Sequence, residues 1–149
     1  MASEPLPTYK KTNLQMVAYR RIQNAVSELL TRFHMNTTQW IMLGVMSESA
    51  NGMRVTDMAR VLQVEMPFIT ITMQSLVAKG LMRTVAHARD KRAKLLMLTP
   101  KGRQVEEEIE AYLSSNLQQL EKGVNPQDLK LYFKMLQQIG SNASMIHGT

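Results

Sequence analysis

Across Gly80 the apolar residues of this chain change their period from helical to extended, and that change limits the fold more than any other feature. Before it, Ile69, Met73 and Leu76 recur at helical spacing. Pro67 falls near the first turn, where its missing N–H leaves nothing unsatisfied, and Gly80 stands where a helix would end. After it, residues 81–86 and 94–98 read as two strands joined by His87-Ala88-Arg89-Asp90-Lys91-Arg92-Ala93. A two-stranded hairpin is marginal alone and must lean on the helices before it. Upstream, Thr56 is placed to cap a short helix from Asp57 to Leu62, and Gln63-Val64-Glu65-Met66 forms a tight link to the next. Met53-Arg54-Val55, after the Asn51-Gly52 turn, is too short to be more than an edge strand. A short helix, a tight turn, a second helix and a basic hairpin make a winged helix-turn-helix, assigned to residues 36–98. The fold class expected is mainly α with a small β-hairpin.

The flanks are longer helical patterns. Residues 1–10 hold two prolines and no periodicity and read as a flexible arm. From Lys11 onward Leu14, Ala18, Ile22, Ala25, Leu29 and Phe33 form a stripe, and Asn36 or Thr37 can cap the next helix. Asn36 and Gln39 have capping-box spacing. Thr99-Pro100 opens a long helix with Val105, Ile109, Leu113, Leu117 and Leu120 on one side, closed by Gly123. Asn125-Pro126 opens a last one, with Leu129, Phe133, Leu136 and Ile139 expected to be buried. Residues 11–35 and 99–146 are thus assigned to a helical dimerisation region, because such stripes need each other and a second copy to be covered.

Charge is concentrated where the hairpin lies. Residues 51–98 carry eight Lys/Arg against three acids, while the whole chain has a formal net charge of +6. A basic middle beside a neutral remainder suits a polyanionic partner, and double-stranded DNA is the partner expected. In a helix-turn-helix the second helix enters the major groove. Its outward residues here are Phe68, Thr70, Ile71, Gln74 and Ser75, with Thr72 on the border. Thr70, Gln74 and Ser75 can hydrogen-bond to bases or phosphates, and Phe68 and Ile71 suit thymine methyls or, alternatively, packing against the wing. On the hairpin, Arg89, Lys91, Arg92 and Lys94 cluster around Asp90. An arginine on a thin loop can enter a narrow minor groove, and Asp90 can hold the Arg92 guanidinium. Arg54, Arg60 and Arg83 are candidates for phosphate contact, and Thr56 is grouped with Arg54.

Several functions are excluded or disfavoured. With no cysteine, thiol nucleophiles, thiolate metal sites and disulfides are absent. His34, His87 and His147 are too far apart in sequence for a helical ligand pair, so no metal or cofactor is expected. No phosphate-binding glycine loop or nucleophile arrangement suggests an enzyme. No apolar run approaches a membrane span and no signal-peptide core is seen, so a cytoplasmic protein is expected. The thirteen methionines read first as a compliant core, although Met35, Met42 and Met46 near Trp40 can also line an adaptable apolar pocket.

Thr38-Gln39-Trp40, the run Leu76-Val77-Ala78-Lys79-Gly80-Leu81, Asp90-Lys91-Arg92 and Leu98-Thr99-Pro100-Lys101-Gly102, in this order and spacing, resemble the MarR family of bacterial regulators, the multiple antibiotic resistance regulators. The resemblance covers roughly residues 12–142. It implies a homodimer joined through N- and C-terminal helices, a pseudo-palindromic operator, repression of transcription, and release by small aromatic or lipophilic effectors. Carried over, Arg92 would be the minor-groove arginine with Asp90 as its orienting partner, and Thr37 and Thr38 would sit near phosphates. Glu65-Met66-Pro67-Phe68 and Ile71 depart from the family's more polar helix opening. The alternatives left open are an effector-independent DNA-binding regulator and a winged-helix protein-interaction module.

Overall fold

The computed structural model describes residues 5–90 and 92–146; Lys91 and His147 lie outside that set. The chain divides into two compact units, residues 1–113 and 114–149. In the first, helix α1 (Thr8–Leu30) begins three residues before the apolar pattern does, so residues 8–10 of the expected arm are helical. Pro7 explains the early start. Its φ of −54° is already close to helical, and its carbonyl accepts the N–H groups of Lys10 at 3.0 Å and Lys11 at 3.1 Å. Val26 and Leu30 are buried, while Leu14 and Ile22, farther up the same stripe, are exposed in the single chain.

A short 3-10 turn, Thr31–Phe33, leads to helix α2 (Thr37–Ser47). Of the two possible caps the chain uses Asn36. Its Oδ1 accepts the Gln39 N–H at 2.8 Å, and Gln39 Oε1 accepts the Asn36 N–H at 2.9 Å. Strand β1 (Met53–Arg54) follows, and helix α3 (Val55–Leu62) starts at the very next residue. Thr56 is therefore not the cap. Arg54 occupies that position with no side-chain cap bond, because its pairing with Leu95 holds the backbone extended up to the first helical residue. Helix α4 (Met66–Ala78) and strands β2 (Met82–Ala86) and β3 (Lys94–Leu98) come next. Both neighbours of β3 run antiparallel to it, in the order β1-β3-β2, so the expected hairpin is widened to three strands by the short edge strand.

Helix α5 (Pro100–Leu117) is stitched to the α4–β2 junction. Thr99 Oγ1 accepts the Gly102 N–H at 2.9 Å and donates to the Gly80 carbonyl at 2.7 Å, while the Thr99 N–H donates to the Leu81 carbonyl at 3.1 Å. A side chain at Gly102 would run into that Leu81 carbonyl, so only glycine fits there without a shift. Leu30, Met42, Met46, Met58, Ile69, Leu76, Leu96 and Ile109 are sealed from solvent between these elements. Each contributes about 1.5–3 kcal/mol by leaving water.

Glu106, on α5, has its carboxyl held above the ordinary value of 4.5, first by partial burial and then by the nearby carboxylates of Glu110, Glu107 and Glu48, against which Arg103 works. The folded chain thus binds this proton more tightly than the unfolded one. The group's contribution to stability is greatest below the ordinary carboxylate range and declines as pH rises through the raised value. Glu106→Gln is expected to raise the melting temperature at neutral pH, with the gain shrinking as the buffer is taken below pH 4.5. A gain that does not depend on pH would contradict this origin.

The second unit holds the end of α5, a 3-10 turn over Gln118–Glu121 and helix α6 (Pro126–Ile146). Helix α5 stops at Leu117, before the expected Gly123, by tightening into that turn, and Leu120 is exposed. Asn125 Oδ1 accepts the Gln127 N–H at 2.8 Å, as an Asn-Pro helix start requires. Phe133, Leu136 and Ile139, expected to be buried, stand about half exposed in the single chain, and Leu129 is half-buried.

Candidate nucleic-acid interface

Helices α3 and α4 are joined by Gln63-Val64-Glu65 and turn through 113°. That lies in the range of helix-turn-helix pairs. The turn is made by Gln63 in the left-handed region, φ +55°, while the Gln63 and Val64 N–H groups return to the Arg60 and Ala59 carbonyls. Gln63 Nε2 also donates to the Arg60 carbonyl at 2.7 Å, which helps to hold a conformation that a side chain otherwise resists.

Ile69, Thr72 and Leu76 of α4 are buried, and Met73 is half-buried. Phe68, Ile71 and Gln74 face solvent; Thr70 and Ser75 are half-buried. Both hydroxyls are engaged by the protein: Thr70 Oγ1 donates to the Met66 carbonyl at 3.0 Å, and Ser75 Oγ accepts from Gln39 Nε2 at 2.9 Å. The far end of the helix is tied back by Lys79, whose Nζ donates to the His34 carbonyl and lies 3.6 Å from Met35 Sδ. Nothing in the local sequence marks Lys79 for this, since its partners lie more than forty residues upstream.

The β2–β3 connection is a hydrogen-bonded wing. The His87 N–H donates to the Ala93 carbonyl at 2.9 Å, and the Ala93 N–H to the Asp90 carbonyl at 3.0 Å. His87 Nδ1 accepts the N–H groups of Arg89 and Asp90, each at 3.2 Å, a role no spacing signal indicated. Asp90 is a positioning residue, but by another route than expected. Its Oδ1 accepts the main-chain N–H of Arg92 at 3.0 Å and does not grip the guanidinium. A carboxylate two residues back reaches the backbone more readily than the end of a long side chain. The carboxylate is thereby engaged with the backbone, and the Arg92 side chain is exposed. Arg89, Arg92 and Lys94 are exposed; Lys91 belongs to the same basic cluster but lies outside the described residues.

Around this pair of elements Arg54 and Thr56 are exposed at the start of α3, and Arg83 is exposed on β2. Arg60 is held by Asp57 at 3.0 Å. Thr37 and Thr38 are half-buried in the first turn of α2, with Thr37 Oγ1 3.5 Å from Ser27 Oγ. The residues suggested for a small-molecule pocket are divided. Met35, Met42 and Met46 are buried in the core, and Trp40 is half-buried.

A helix-turn-helix whose second helix presents an open face, followed by a basic wing, defines a winged-helix protein, and the six helices and three strands among the described residues have the fold of MarR-family transcriptional regulators. No family model matches the sequence. The chain is similar in structure to the transcriptional regulator BldR from Sulfolobus solfataricus, with a TM-score of 0.80 at 24% identity, covering 90% of this chain and 94% of that one. It is also similar to CouR from Rhodococcus jostii RHA1 bound to p-coumaroyl-CoA, at TM-score 0.80 and 20% identity, over 92% and 95% of the two chains. A cysteine-to-serine variant of MarR from E. coli complexed with operator DNA matches at TM-score 0.78 and 21% identity, over 86% and 91%.

Proposed function

We propose that the chain is a MarR-family regulator that binds double-stranded operator DNA as a homodimer and represses transcription. The carrying observation is the pairing of an uncharged, open helix face on α4 with exposed cations on a wing held in shape by its own backbone. A groove needs the first for base edges and the second for phosphates. The exposed apolar residues of α1 and α6, Leu14 and Ile22 in one and Phe133, Leu136 and Ile139 in the other, support a partner of the same kind, since a second copy covers them. Two-fold symmetry in the protein then implies a pseudo-palindromic operator. The likeness to a structure holding operator DNA supports the same reading. The likeness to one holding p-coumaroyl-CoA supports a regulator that responds to a small aromatic or lipophilic ligand. No catalytic role is part of this proposal.

The test is binding to a duplex of mixed sequence as salt is raised. Lys/Arg contacts to phosphates release counterions, so the logarithm of the association constant should fall with the logarithm of salt at a slope of about −4 or steeper for a dimer using its wings. A flat response would favour a protein-interaction module instead. Repeating the titration with an aromatic carboxylate present examines the ligand response separately: affinity that never changes with any such compound supports the effector-independent alternative.

A further inference from the structure

From Met66 to Ala78, α4 contains no acidic or basic residue. Its open face is led by Ile71, 67% exposed, and Phe68, 48% exposed, three residues apart and so neighbours in one row along the helix. The hydroxyls nearby are drawn into the protein. Thr70 and Thr72 donate to the carbonyls one turn back, and Ser75 meets Gln39. Gln74, exposed and one step further along the row from Ile71, brings a carboxamide to the same face.

These groups match some base edges and fail to match others. Guanine O6 and N7 are read in bidentate fashion by Arg or Lys, and the cytosine amino group is taken by Asp or Glu. The face of α4 has neither kind of side chain. What it has are a branched aliphatic, an aromatic ring and an amide. The first two suit the C5-methyl of thymine, and the third suits adenine N6 and N7. Apolar groups exposed on a surface can also serve a protein partner. Here the surrounding charge favours a polyanion, with eight Lys/Arg against three acids in residues 51–98.

We propose that α4 selects A·T pairs by their methyl groups, with Ile71 and Phe68 packed on thymine C5-methyls and Gln74 bridging an adjacent adenine. The wing cations then supply affinity that is indifferent to the bases in the major groove. This rests on the DNA-binding reading above and adds to it the chemistry of the preferred operator.

The experiment uses the full chain and three duplexes at one salt concentration: alternating dA-dT, alternating dA-dU and alternating dG-dC. The first two differ by the thymine methyl. Burying a single methyl changes binding about four-fold, so one contact each from Ile71 and Phe68 should make dA-dT about sixteen-fold tighter than dA-dU for each half-site engaged, and more when both are, with dG-dC weaker than dA-dT. Ile71→Ala is expected to narrow the gap between dA-dT and dA-dU by about four-fold for each half-site engaged, leaving the share that Phe68 supplies. Its melting temperature should be unchanged, because the side chain is open to solvent. Equal wild-type affinity for dA-dT and dA-dU, or a preference for dG-dC, overturns the methyl reading and leaves DNA binding intact. No binding to any of the three in dilute buffer overturns DNA binding itself, and with it this proposal, and assigns the apolar row to a protein partner.

Discussion

Gly102→Ala is expected to lower the unfolding free energy by about 3 kcal/mol, a drop in melting temperature of about 10 °C for a chain of this size. A β-carbon at this position would overlap the Leu81 carbonyl oxygen and lie 2.9 Å from both the Leu81 carbonyl carbon and Leu98 Cδ1. The obstruction is backbone, which cannot rotate aside as a side chain would. Relief requires the first turn of α5 to move away. That movement strains the Gly102 N–H bond to Thr99, the Thr99 bond to Gly80 and the Lys101 bond to the Lys79 carbonyl together. Urea unfolding followed by circular dichroism measures the loss. A decrease below about 1 kcal/mol would mean that the start of α5 can shift without disturbing the α4–β2 junction.

Arg92→Ala is expected to weaken binding of mixed-sequence duplex by about 1–3 kcal/mol, or roughly 5- to 150-fold, and, since a dimer loses one arginine from each wing, to make the salt slope shallower by about two. Folding should be unaffected. The wing turn uses the main-chain N–H of Arg92, which alanine retains, and the side chain is exposed. Fluorescence anisotropy at fixed salt, with the melting temperature measured alongside, separates the two effects. Wild-type affinity in the variant would remove the wing from the DNA interface. Asp90→Ala makes a useful contrast, since it leaves the guanidinium but releases the backbone that aims it.

The winged helix was legible because three signals with different physical origins agreed. The apolar period changed at Gly80, proline and glycine marked the ends of α4, and cations gathered between two strands. Glycine at 102 was noticed as part of a motif, but its reason, contact with a carbonyl twenty-one positions upstream, is tertiary. Local chemistry misjudged the start of α3, because Thr56 is a good cap in isolation and strand pairing at Arg54 decided the matter first. The stripe of α6 shows the opposite limit: periodicity finds an apolar face but not what covers it. At the interface, residue types were readable and their commitments were not. Thr70 and Ser75 are able hydrogen-bonding residues on paper, yet their hydroxyls are occupied by Met66 and Gln39. The partner of Asp90 was likewise misjudged, since the backbone at Arg92 is nearer than its guanidinium.

Gln39 ends the first turn of α2 and steadies α4 with a single carboxamide, its oxygen serving Asn36 and its nitrogen serving Ser75. A glutamate at that position would keep the oxygen and lose the donor, and the serine would have to reverse its own polarity and give a proton where it now receives one. An asparagine, one carbon shorter, would fall short of both neighbours. A change at position 39 is therefore felt at position 75, although one belongs to α2 and the other to α4.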